Sequence, residues 1–163
     1  MGNVYEFNSA NREMTARERQ EQERERKIQE LSNVPVPWFK HPVNDLRLQQ
    51  FRHEFGNEAY GRLWNLAEFI AKTNTHAIPK AGERGYKVIL RMLSYEISEA
   101  GAEQFESLVS ALAEYEIATI DEESGRRGII YVDEAARAIG ESRYNGSMGG
   151  STARSNRRRK ALA

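Results

Sequence analysis

The chain has 163 residues, no cysteine, and 24 basic residues against 24 acidic ones. That length and a 39% hydrophobic share support one modest core, and the charge balance excludes a uniformly cationic surface, so electrostatic binding must come from local patches. The missing cysteines exclude disulfides, thiol nucleophiles and cysteine-based zinc sites, and accord with a reducing compartment.

The opening "MGNVYEFNSANREM" lacks the basic start and apolar core of a secretion signal, and no apolar run approaches the roughly 20 residues that span a bilayer. A soluble cytoplasmic protein with no membrane partner is expected. Residues 12–30 hold six basic and six acidic residues, with only Met14 and Ile28 interrupting the polar run. Glu/Arg pairs three or four apart support a helix but bury nothing. Residues 1–33 therefore read as a charged arm, either a solvated helix or disordered.

The pattern becomes regular over 34–140, the expected folded domain. "VNDLRLQQFRHEFG" sets Leu48, Phe51 and Phe55 on one helical face, and Gly56 stops that helix as a left-handed cap. "NEAYGRLWNLAEFIAKT" resumes from Asn57 with Tyr60, Leu63, Trp64, Ala67, Ile70 and Ala71 at spacings of three and four. "HAIPK" is short, extended and bounded by proline. The spacing of Tyr86, Ile89, Leu90, Leu93 and Ile97 predicts a helix over 83–98, with Val88 and Met92 widening its buried stripe. A second helix over 102–116 carries Phe105, Leu108, Val109 and Leu112. "IATI" and "IIYV" then read as the strands of a hairpin with "DEESGRRG" as its turn. Residues 141–163 turn Gly/Ser-rich and then basic, a flexible tail with six basic residues and one acidic, or +5, against 12 basic and 16 acidic over 31–140, or −4.

Helices, a short extended segment, two more helices and a hairpin make an α+β domain, mostly α, in the order of a winged helix-turn-helix. "VPWFKHPVNDLRLQQFRHEFGNEAYGRLWNLAEFIAK" resembles the opening of the winged-helix domain at the N-terminus of phage and prophage replication proteins, the replisome-organiser or DnaD-like group of Gram-positive bacteria. The resemblance lies in Trp38, Phe39, Lys40 and His41, in Asp45, and in the join Phe55, Gly56, Glu58, Ala59, Tyr60, Gly61 and Trp64. Pro42 stands where the family usually has an acidic residue. The resemblance implies a DNA-binding protein of replication initiation in a bacterial or phage-infected cell, with a replication or host protein as a further partner. Trp38, Phe39, Tyr60 and Trp64 read as core anchors, and Gly56 and Gly61 as backbone devices.

His41, His53 and His76 are too far apart for a zinc site. "GSMGGS" lacks the strand, helix and lysine of a phosphate loop, and no carboxylate pair is marked for acid/base work, so neither cofactor nor catalytic residue is assigned. The basic residues carry the reading. Lys80, Arg84, Lys87 and Arg91 make one cationic face, Arg126 and Arg127 sit at the hairpin tip as a phosphate or minor-groove clamp, and Arg157, Arg158, Arg159 and Lys160 add a cationic tail. Replacing the two tip arginines is then expected to leave stability within about 0.5 kcal/mol. The helix before the hairpin exposes Glu103, Glu106, Glu114 and Glu116, which repels a DNA groove. The alternative function is therefore a protein-interaction module, an adaptor, inhibitor or self-associating unit, that uses the acidic helix 102–116.

Overall fold

A computed structural model describes residues 14–161, with side chains described over 14–149. The described chain is mostly helical, with one small antiparallel sheet. Its elements run α1 (Ala16–Ser32), α2 (Leu46–Ala71), α3 (Tyr86–Met92), α4 (Glu99–Glu114), β1 (Ala118–Ile120), β2 (Arg127–Ile129) and α5 (Ile130–Ala161). No helix among the described residues is long and apolar enough to cross a membrane.

The core is built where the apolar spacing is densest. Leu48 and Phe51 from the first half of α2, Leu63, Leu66 and Ile70 from its second half, Ile89 from α3 and Phe105 and Leu112 from α4 are all buried together. Between the halves of α2, Gly56 has φ 83° and ψ 177°. This is not the expected left-handed cap but a fully extended positive-φ conformation that is essentially restricted to glycine. Gly61, five residues on, sits in ordinary helix with open space where a Cβ would stand, so no backbone requirement holds it there.

Three expectations are corrected in the middle of the chain. The helix expected over 83–98 ends at Met92, because Ser94 turns to φ +61°. Two turns of helix bury only a narrow face, so Val88 and Met92 do not widen the core but stand 53% and 40% exposed. Trp38 is not a core anchor. The ring of His41 stacks on Trp64 at 4.0 Å between centroids, and the indole of Trp38 is left 70% exposed.

The hairpin pairs Ala118 with Ile129, Thr119 with Gly128 and Ile120 with Arg127. Its second strand is displaced two residues towards the turn, covering Arg127–Ile129 instead of 129–132. Ile130, Tyr131 and Val132 are the first turn of α5, where Val132, Ala136 and Ile139 meet the core at helical spacing and Asp133 favours the helix N-terminus. From there the helical backbone continues through 141–161 instead of forming an irregular tail, since adding a residue to an existing helix costs far less than nucleating one.

The charged arm is helical over α1, opened by a capping box in which Thr15 and Glu18 exchange hydrogen bonds. Ile28 is its one buried side chain, with Leu31 and Ser32 half-buried beside it and the others exposed. The helix nevertheless docks along α5, because Gly140 presents no side chain where the Ile28 carbonyl and the Ser32 hydroxyl press closest. Arg137 pairs with Glu25 at the same seam, and the Arg24 guanidinium lies 5.9 Å from the Tyr144 ring centroid.

Gly56→Ala is expected to cost roughly 1–3 kcal/mol because the side chain strains a conformation only glycine adopts freely, whereas Gly61→Ala gains about 0.5–1 kcal/mol of helix propensity. Urea melts of the two variants check the contrast. A further expectation concerns Asp45, the N-cap of α2, whose carboxylate accepts from the Arg47 amide and guanidinium and from the Tyr131 hydroxyl. The Arg47 side-chain hydrogen bond, aided by Tyr131, holds this carboxyl well below the usual Asp range. A depressed carboxyl stabilises the fold above its unfolded value of 3.8 and loses that contribution as pH falls. Asp45→Asn keeps the cap, so its destabilisation is expected to be largest near neutrality and to shrink towards about pH 2 in parallel acid and neutral urea melts.

Candidate nucleic-acid interface

The loop between α2 and α3 and the first turns of α3 bring four of the anticipated cations to one region. Lys80 and Arg84 stand on the loop, and Lys87 and Arg91 are four apart on α3, so they share one side of the helix. All four are exposed. None takes part in an ion pair among the described residues. The Lys80 ammonium reaches over the hairpin turn, where a Cβ on Gly125 would stand 2.8 Å from it. The cationic loop and the hairpin are thus neighbours in space.

Arg126 and Arg127 do not project from the tip. The turn is closed by Asp121, which accepts from Ser124 and from the Glu123 amide, and the two arginines that follow fold back into the protein. Arg126 pairs with Asp133 of α5 and donates to the carbonyls of Thr75 (3.1 Å) and His76 (3.0 Å). Arg127 pairs with Glu106 of α4, donates to the Pro79 carbonyl at 2.6 Å, and keeps only 12% of its side chain exposed. Glu106 also accepts from the Tyr86 hydroxyl at 3.1 Å. Burial first, and the Glu106 charge second, push the Tyr86 phenol above its usual range. The Ile78 amide donates to the Arg127 carbonyl at 2.7 Å, which sets the short segment after His76 against β2.

Of the acidic face anticipated for α4, Glu103 and Glu114 are exposed on the helix, joined by Glu99 at its start, whereas Glu116 lies beyond its end with φ +56° and Glu106 is drawn inward by Arg127. Arg157, Arg158, Arg159 and Lys160 belong to the helical backbone of α5, and their side chains lie outside the described residues. Among the described residues no group of three His, Cys, Asp or Glu side chains is placed to hold a metal ion.

A second feature escaped the sequence reading. A cavity of about 730 Å³ opens between residues 37–47 and α5, lined by Trp38, Lys40, Tyr131, Ala138, Ile139 and Arg143 among others. The signal for it was divided among Trp38, which reads as core, Tyr131, which reads as part of a strand, and Arg143, which reads as part of a flexible tail, so no one stretch marked it.

The inward arginines reverse one expectation of the sequence. Arg127→Ala takes the guanidinium from Glu106 and from the Pro79 carbonyl, and a loss of about 2–3 kcal/mol is expected, below the fully buried limit because Glu106 is partly in water and keeps its hydrogen bond from Tyr86. Lys87→Ala is expected to stay within about 0.5 kcal/mol. Equal melts for the two variants would place Arg127 at the surface.

Set beside known proteins, the chain matches no family model, no curated protein and no solved structure.

Proposed function

We propose that the chain is a winged-helix domain that binds duplex DNA through its phosphate backbone, in the replication-associated role that its lead-in and α2 motifs imply. Support for the fold comes from the element order and from the Ile78–Arg127 hydrogen bond, which sets a short segment against the hairpin, the place of the first strand in a winged helix. The observation that carries the function is the unpaired cationic region of Lys80, Arg84, Lys87 and Arg91 beside the hairpin. On the hairpin itself Arg126 and Arg127 are each engaged by a carboxylate, so among the described residues the free cations at this place are the four on the loop and α3. Four cations outside ion pairs suit phosphates, whose contacts carry no base information, and the carboxylate of the same loop, Glu83, accepts from the Lys80 amide at 2.8 Å. The acidic face of α4 argues against groove reading by that helix, so the binding is weakly specific. The hairpin arginines serve the fold and hold the cationic loop in place.

Duplex binding measured by fluorescence anisotropy across salt concentrations tests this. Each phosphate contact contributes a slope of roughly −0.9 in log affinity against log salt, so Lys87→Ala with Arg91→Ala is expected to make the slope shallower by nearly two, equally on unrelated sequences. Comparison of the variant with the native chain cancels the contribution of the C-terminal cations. Unchanged affinity and slope would leave the acidic α4 face and a protein partner as the better account.

A further inference from the structure

Among the described large hydrophobics Trp38 is the most exposed aromatic ring, and it lines the cavity against α5. Ala135, Ala138 and Ile139 give the cavity an apolar wall. Lys40 and Arg143 line it as exposed cations with no ion pair among the described residues. Asp45 and Arg47 neutralise one another at 2.7 Å, and Glu134 is the remaining charge, which leaves two cations against one carboxylate. The volume falls inside the roughly 300–1,000 Å³ range of small-ligand sites. An open indole face, an apolar wall and a cationic margin suit a flat aromatic ring that carries an anion at its edge.

We propose that this cavity seats one nucleotide of single-stranded DNA, its base against Trp38 and its phosphate towards Lys40 and Arg143. The inference rests on the DNA-binding reading above and extends it to a second form of DNA. An unpaired base is required, because the face of a paired base is covered by its neighbours in the duplex stack. A strand fits better than a free nucleotide. The cations lie in solvent where a backbone can pass, and the buried hydroxyl of Tyr131 is already committed to Asp45 at 2.8 Å instead of reading a base edge. Stacking without base-edge hydrogen bonds is tolerant of sequence.

The chain has two tryptophans, Trp38 exposed and Trp64 buried, so intrinsic fluorescence reports on Trp38 by its accessibility to a quencher. Titration of the full chain with a thymidine oligonucleotide of about 16 residues is expected to quench the accessible emission. Read by anisotropy of a labelled oligonucleotide, since these variants lack the reporter, Trp38→Ala is expected to weaken that binding by about five- to 150-fold, the worth of one stacked base, and Trp38→Phe to retain most of it. Lys40→Ala with Arg143→Ala is expected to make the salt slope shallower by about 1.4, at roughly 0.7 per single-strand contact. Duplex binding is measured in parallel. Duplex binding without oligonucleotide binding, or an oligonucleotide affinity unchanged in Trp38→Ala, overturns this inference and leaves the DNA reading standing. Absence of binding to both forms overturns both. Thymidine monophosphate binding as tightly as the oligonucleotide replaces the strand with a free-nucleotide site.

Discussion

Two arginine–carboxylate pairs fix the hairpin, and the arrangement of the cationic surface depends on them. Strands of three residues cannot hold a two-stranded sheet in water. Arg127 ties β2 to α4 through Glu106 and to the preceding loop through the Pro79 carbonyl, while Arg126 ties the turn to α5 through Asp133 and to the same loop through Thr75 and His76. Removing charges from water offsets most of what such pairs gain, so their value is less in net stability than in specifying one position for the hairpin. Because these guanidinium groups are occupied, the proposed phosphate contacts fall to Lys80 and its neighbours, which the same contacts hold beside the turn.

A second set of contacts orders the lead-in segment. His41 and Phe39 lie against Trp64, Trp64 meets Tyr131 at 5.7 Å, and Tyr131 donates to Asp45, which in turn caps α2. Burial first, then the Asp45 hydrogen bond and charge, push the Tyr131 phenol above its usual range, so it remains a donor. With the face of Trp64 already covered by the imidazole, Trp38 is left outside the core and lines the cavity against α5 instead. Its exposure follows from the success of its neighbours' packing.

How far the fold was legible depended on whether its cause was local. The break at Gly56, the buried stripe of α2 and the face of α4 carrying Phe105 and Leu112 each follow from spacing within one element, and each is present. The start of α5 was hidden because Ile129, Ile130, Tyr131 and Val132 have strand-like side chains, and the helical repeat of Val132, Ala136 and Ile139 emerges only after them. The inward turn of Arg127 could not be read from the sequence at all, since Glu106 is 21 residues away and Pro79 is 48. Spacing along the chain says that two arginines are adjacent in a turn, not which carboxylates the tertiary fold carries to them.

The cationic region and the cavity share the junction between β2 and α5. Arg127 is clamped to α4, Ile129 is buried in the core, and two residues later Tyr131 both lines the cavity and donates to Asp45. No loop intervenes between the strand and the helix to absorb a displacement. A shift of β2 that loosened Arg127 from Glu106 would therefore carry the Tyr131 ring with it, and the cavity wall and the N-cap of α2 would move together. The hairpin arginines, first read as ligands for DNA, act instead on both proposed binding surfaces by fixing the one rigid segment that the surfaces have in common.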